Sequence, residues 1–450
     1  MDVNAVGSTS LPEAREAVGA RLARSAAGRE RVAEVEAWVA TCRERSGLTV
    51  ERAPLDELEG WRCRPDSGDL VHESGRFFAI RGLDVRTTHG HVREWSQPII
   101  HQPEEGILGF LAREIDGVLH FLMQVKAEPG NVNVAQLSPT VQATRSNYLR
   151  VHNGGPVPFL EHFVDPGARV LVDVPQSENG SWFLGKRNRN MVVEVGDEVE
   201  HDETFAWLTL GQIQELLLRP NVVNMDARTV LSCLRLDGTT REREDGGPLQ
   251  WLAGRREHYG LSARLVPLRS LVEWRREQDA IRHTDDKYFR IVGVSVGAPS
   301  REVHSWCQPL LEPVGEGLVA FVIRRIDGVL HVLARADVRP GYRKTVEIGP
   351  TVQCTPLNFV DDPGRRPDLL DLVTSGEVVV RYDVRQSEEG GRFRHAVTRH
   401  MIVEVAEPLD VATGRDYFWL TPAELQELLA SSCEVDIEAR SLLACLQATR

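Results

Sequence analysis

The sequence predicts an α+β protein built by tandem duplication. Three observations carry the prediction: motifs that recur at a fixed offset, an order of strands first and helices last in each copy, and an Ala/Glu/Arg-rich stretch before the first copy. "SPTVQATRSN" (138–147) returns as "GPTVQCTPLN" (349–358), and Trp95-Ser-Gln-Pro98 returns as Trp306-Cys-Gln-Pro309. Ile115-Asp-Gly-Val-Leu-His120 matches Ile326-Asp-Gly-Val-Leu-His331, and the offset (306 − 95) is 211 residues throughout. A chain of 450 residues is too long for a single core, so two or three domains are expected.

The elements follow in order. Residues 11–46 place Val18, Leu22, Val32, Val35 and Val39 near helical spacing, which predicts one or two amphipathic helices covering an edge or a dimer contact. They show no sequence counterpart in the second copy. The first copy runs from about Trp61 to Leu234, where "HESGRFF" (72–78) aligns with "HTDDKYF" (283–289). "VLHFLMQVKA", "ARVLVDV" and "NMVVEV" read as short strands bounded by Gly, Pro or Asn. "WLTLGQIQELL" and "WLTPAELQELL" read as helix starts. In the second, Thr421 caps, Pro422 opens the helix and Glu424 closes a capping box; Thr209 and Gln212 give a weaker version in the first. The last helices, "MDARTVLSCL" and "IEARSLLACL", are expected to bury one apolar face. The resulting division is an N-terminal helical segment (1–55), a first module (56–238), a linker and helix (239–275) and a second module (276–450).

Composition excludes several classes. Hydrophobic residues make up 42% and charged residues 26%, as in a globular protein. The net charge of −13 disfavours nucleic acid and anionic membrane. No apolar run approaches the ~20 residues of a membrane span, and the N-terminus does not read as a signal peptide. Seven cysteines without a C-x-x-C pair suggest reduced thiols in a cytoplasm. There is no G-x-G-x-x-G after a strand, no P-loop, no G-x-S-x-G elbow and no H-E-x-x-H pair. His89, His91 and His101 lack a well-spaced carboxylate and read as a surface loop, so no metal is expected.

The strings "REWSQP", "HFLMQVKAEPGN", "QLSPTVQATRSNY", "QSENGSWFLGKRNRNMVVEV" and "NMDARTVLS" resemble the NDP-hexose 2,3-dehydratases, as do "GLVAFVIRR", "GPTVQCTP", "SEEGGRF" and "ARSLLACL" in the second copy. The resemblance covers nearly the whole chain after the N-terminal helices. It implies two Nudix-like modules (mixed sheets with helices) per subunit, a homodimer, and elimination of water across C2 and C3 of dTDP-4-keto-6-deoxyglucose. The product would be a 3,4-diketo-2,6-dideoxy sugar for antibiotic deoxysugars. The chain lacks the G-x5-E-x7-R-E-x2-E-E box of metal-dependent Nudix hydrolases, which makes that hydrolysis the weaker rival. A nucleotide-sugar sensor without turnover is the non-enzymatic one.

The chemistry needs no cofactor. The C4 ketone acidifies the C3 proton, a base removes it, donors hold the enolate and an acid assists departure of the C2 hydroxyl. Lys126, Glu128, Tyr148 and His152 are the catalytic candidates. They exchange protons where the second copy has Asp337, Arg339, Phe359 and Pro363. The second copy answers with Glu347 for Gln136 and Tyr382 for Val172. Residues retained in both copies mark shared architecture or a ligand pocket in each module; Trp95, Trp306, Thr144, Thr355, Asn147 and Ser177 are the binding candidates among them. Arg145 joins them from the same "TRSN" segment. "GKRNRN" supplies Lys186, Arg187 and Arg189 as a cationic patch for the diphosphate, and Arg392 and Arg399 supply its second-copy version.

Overall fold

The structure, a computed structural model, describes residues 11–144, 157–165, 167–196, 199–236, 246–299, 303–409 and 415–450. Each copy forms two sheets, and the α+β duplication is present as expected. In the first copy a seven-stranded mixed sheet runs in the order Arg169–Ser177, Arg187–Glu194, Gly106–Ile115, Val118–Ala127, Phe205–Thr209. Ala135–Ser138 adds to the 118–127 strand and Val141–Thr144 to the 106–115 strand. The 187–194 and 106–115 strands pair in parallel. The second copy repeats this order with Val379–Ser387, Val397–Glu404, Gly317–Ile326, Val329–Asp337 and Tyr417–Leu420.

The retained threonines of "PTVQ" serve this sheet. Thr140 Oγ1 accepts from Leu111 N at 2.9 Å and donates to Leu122 O. Thr351 does the same with Val322 N at 2.9 Å and with Leu333 O. Each hydroxyl satisfies backbone groups of two neighbouring strands, which a buried sheet requires.

The smaller sheets are exchanged between copies. Thr49–Ala53 precedes the first copy yet pairs with Phe289–Gly297 of the second. Leu261–Val266 precedes the second copy yet pairs with Ala79–Thr87 of the first. Neither copy completes its own five-stranded sheet.

One sequence expectation is corrected here. The helix Val32–Arg45 does have a second-copy counterpart, Gly247–His258. Arg43 Nε donates to Ala135 O at 3.2 Å, and Arg256 Nε donates to Val346 O at 3.0 Å, the two acceptors lying 211 residues apart (346 − 135). The likeness escaped the sequence because only an apolar stripe and one arginine are needed there. Nor do these helices merely cover an edge. Leu22, Val35 and Val39 enter the first-copy core with Phe110, Phe121 and Met123.

Both capping boxes form, at Thr209/Gln212 and at Thr421/Glu424. The last helices, Met225–Ser232 and Ile437–Ala448, are buried on every side rather than on one face. Their polar residues Asp226, Arg228, Glu438 and Arg440 must therefore find partners inside the protein. Between the copies lies a joint core in which Phe183 and Phe393 meet edge to face at 5.5 Å.

Candidate active site

The catalytic candidates that are described come together. The 118–127 strand ends in Lys126, and Glu128 N still bonds Val134 O at 3.0 Å, so the backbone stays extended up to Pro129. That keeps Lys126 and Glu128 on one face, with Lys126 Nζ 3.6 Å from Glu128 Oε1. Gln142 Nε2 donates to the same oxygen at 3.0 Å, while Gln142 Oε1 accepts from Ser138 Oγ at 3.0 Å.

Three more carboxyl groups face this pair. Glu178 accepts from Asn188 Nδ2 at 2.6 Å. Asp226 sits in the first turn of the helix whose cap is Asn224. Glu389 comes from the other copy. The loop after Val379–Ser387 crosses over, with Gly130 N donating to Gly390 O at 2.7 Å and His395 N donating to Gly130 O at 2.7 Å. A Cβ on Gly130 would lie 1.7 Å from Phe393 O, so only glycine permits the approach. A Cβ on Gly391 would stand 3.0 Å from Glu389 Oε1 and 3.5 Å from Glu128 Oε1, which locates the two carboxylates beside one point. The same loop is steadied by the retained Trp306, whose Nε1 donates to Gln308 Oε1 at 2.8 Å; Gln308 Nε2 then donates to Gly391 O at 2.9 Å.

Electrostatics follow from this crowding. Burial first, and then the charge of Glu389, raise Glu178 to about 7. Burial and the charges of Glu389, Glu178 and Glu128 push Asp226 well above the carboxylate range. Burial lowers Lys186, whose Nζ donates to Glu104 O at 2.5 Å. Glu128 Oε2, Glu178 Oε2 and Asp226 Oδ2 are buried without a hydrogen-bond partner. Buried polar oxygens normally have one, so these three mark a place built to hold a proton or a ligand.

In the second copy the residues at the positions of Lys126 and Glu128, Asp337 and Arg339, pair with each other. Arg335 and Arg339 bond Asp337 at 2.9 and 2.5 Å, and Tyr342 OH reaches both Asp337 and Asp436, at 3.1 and 3.0 Å. Despite burial, Arg339 and Arg335 hold Asp337 well below the usual carboxylate range. The second-copy candidates lie at the seam between copies instead. Glu347 accepts from Ser177 Oγ at 2.5 Å, and Tyr382 OH donates to Leu217 O at 2.6 Å.

The remaining candidates separate. Arg145, Asn147, Tyr148 and His152 lie outside the described residues. Arg392 joins the cluster side, stacked 4.4 Å over Phe78 and bonded to Gln102 at 3.2 Å. In "GKRNRN" the strand alternates. Lys186, Asn188 and Asn190 turn inward, and Arg187 and Arg189 turn outward to pair with Glu105 and Asp173. Arg399 makes the equivalent pair with Asp383. Trp95 bonds Gln97, which bonds Ser181 O at 2.8 Å and so steadies the first-copy loop. Thr144 ends the 141–144 strand opposite Gly106, and Thr355 precedes the short Pro356–Phe359 turn of helix. Among the described residues no three His, Cys, Asp or Glu side chains are grouped to hold a metal ion.

The sequence profile of the NDP-hexose 2,3-dehydratases matches residues 32–234 and again 246–446. The chain belongs to the NDP-hexose 2,3-dehydratase family. Both matches begin at the paired helices described above, Val32–Arg45 and Gly247–His258. A dTDP-4-dehydro-6-deoxy-α-D-glucopyranose 2,3-dehydratase of Amycolatopsis orientalis is 47% identical over 442 residues, covering 95% of this chain and 93% of the relative. Proteins of the same name from Saccharopolyspora spinosa and Streptomyces violaceoruber are each 46% identical. They cover 92% and 91% of this chain, and 90% and 96% of their own lengths.

Carried within this family member are two acids that titrate near neutrality, and they set the sign of its stability with pH. Burial raises Glu347 to about 8, and Glu178 stands at about 7, against about 4.3 for a free Glu. The folded chain therefore binds more protons than the unfolded one across that window, and its stability falls as pH rises through it. Asp337 works oppositely, losing its contribution as pH falls toward strong acid. The melting temperature is expected to be highest at about pH 4 and to fall steadily as pH rises through about 7 and 8. Glu347→Gln should flatten that fall, and an unchanged slope in thermal scans would remove Glu347 from the account.

Proposed function

We propose that the chain is a dTDP-4-keto-6-deoxyglucose 2,3-dehydratase whose reaction takes place at the carboxylate–lysine cluster between the copies. The observation that carries the reading is the convergence of Glu128, Glu178, Asp226 and Lys126 with Glu389 of the other copy, three of the carboxyl oxygens lacking a partner. Glu128 removes the C3 proton, and the electron pair moves onto the C4 oxygen, where Lys126 Nζ stabilises it. Reforming the C4 ketone expels the C2 hydroxyl, which takes a proton from Glu178 and leaves as water. The C2=C3 enol gains a proton at C2, loses the proton of its C3 hydroxyl and becomes the 3,4-diketone. Glu178 suits the acid role because it keeps its proton up to about pH 7. Arg392 and Lys186 lie beside the cluster and supply positive charge toward a diphosphate.

Each seven-stranded mixed sheet with its helices is read as a Nudix-like module, and the working unit as a homodimer. The reading as a cytoplasmic enzyme fits seven free thiols and the absence, among the described residues, of any helix long and apolar enough to cross a membrane. Incubation with dTDP-4-keto-6-deoxyglucose in deuterated water, followed by mass spectrometry and NMR, tests the reaction. A diketo product, or its breakdown with release of dTDP, is expected together with deuterium at C2. Unchanged substrate with saturable binding would leave a sensor and overturn the reading.

A further inference from the structure

Two guanidinium groups take no part in the chemistry above, yet Arg228 and Arg440 are, among the described residues, the largest side chains with no solvent exposure, at 0% each. Arg228 Nη1 bonds Val223 O at 2.7 Å in its own copy, while Nη2 bonds Ser387 O at 2.8 Å and Nε bonds Ser441 Oγ at 2.6 Å in the other. Arg440 mirrors it, with Nη1 to Val435 O at 2.6 Å, Nη2 to Ser177 O at 2.6 Å and Nε to Thr229 Oγ1 at 2.7 Å. Among the described residues neither forms a salt bridge with a carboxylate. A buried cation without an ion-pair partner is costly, so this arrangement needs a reason beyond packing.

The carbonyls they grip supply it. Ser177 directly precedes Glu178, and Ser387 precedes Glu388 and Glu389. We propose that Arg228 and Arg440 are a crossed pair of positioning residues, each fixing from one copy the strand end that presents a site glutamate from the other: Arg440 sets Glu178 and Arg228 sets Glu389. The proposal rests on the cluster being the reaction site. It accounts for the duplication itself, because each of these two site glutamates is then held by the copy it does not belong to. Glu178 faces Glu389, Asp226, Lys186 and Arg440, and of these only Lys186 and Arg440 favour its ionised form. Arg440 therefore acts on Glu178 through charge as well as through placement.

Charge and placement are separated by measuring kcat and KM against pH for Arg440→Gln, Arg440→Lys and Arg228→Gln on dTDP-4-keto-6-deoxyglucose. Arg440→Gln should lower kcat by about 10- to 100-fold and move the high-pH limb up by about one unit, since a favourable positive charge is lost. Arg440→Lys should keep the limb near its wild-type position yet still lose kcat, because one ammonium cannot hold three acceptors in a fork. Arg228→Gln should lower kcat without that upward shift, and KM should stay within a few-fold in all three. Should Arg440→Gln not fold, Thr229→Val keeps the charge and removes one acceptor, and a several-fold kcat loss is expected. Wild-type kcat and pH limb in Arg440→Gln, or in Thr229→Val where that variant carries the test, would overturn the proposal. Glu178→Gln and Glu389→Gln read the underlying site: full turnover in both would sink the cluster as the reaction site, whatever the arginines do. Lost turnover there with indifferent arginine variants would sink only the crossed pair.

Discussion

Replacing Lys126 by alanine is expected to lower turnover by about 10²- to 10⁴-fold, the usual worth of a positioned proton-transfer or charge-stabilising group. Its Nζ stands 3.6 Å from Glu128 Oε1 and 3.4 Å from Gln142 O, and its side chain keeps 22% of its exposure. It is thus held in place by the protein while remaining within reach of a ligand. Truncation removes the cation beside Glu128, which is 5% exposed, and leaves that carboxylate among three others. The nucleotide portion of the substrate should bind as before, because the loss falls on the reacting end. Steady-state kcat beside the equilibrium affinity for dTDP makes the comparison. Equal losses in both would move Lys126 to a binding role and leave the enolate without its cation.

The duplication was legible because its motifs recur at one offset, and the capped helices and the pairing of Lys126 with Glu128 because each depends on neighbours within a few residues. The threonines of "PTVQ" were legible as retained positions, though their function as bridges between strands was not. What could not be read was the crossing. Glu389 lies 263 residues from Lys126 (389 − 126), and nothing in periodicity or composition joins them. The clue was present all the same. Position 389 diverges from its first-copy equivalent, Asn179, a difference that the comparison of the copies did not single out. Asp226 was hidden differently, inside a helix read as apolar on one face and in fact buried all round. The arginines of "GKRNRN" show the opposite effect. A run of like charge reads as one patch, whereas strand alternation sends Lys186 inward and Arg187 and Arg189 outward.

Glu389→Gln should cost about 10²-fold or more in kcat although the residue belongs to the second copy. The substitution keeps shape and one acceptor, so the loop bonds at Gly130, Gly390 and His395 should persist and the fold with them. What changes is charge. Glu389 is, after burial itself, the largest influence raising Glu178. Without it Glu178 ionises more easily, its pKa falls from about 7 toward the ordinary range, and an acid that must be protonated works only at lower pH. The residual activity should therefore show its high-pH limb displaced toward acid, opposite in sign to the shift expected on losing the positive charge of Arg440. Two substitutions on the second copy moving one limb in opposite directions would be hard to obtain from general destabilisation, which changes both variants alike. A wild-type rate in Glu389→Gln, with the limb unmoved, would return the crossing loop to a purely structural part and confine the chemistry to the first copy.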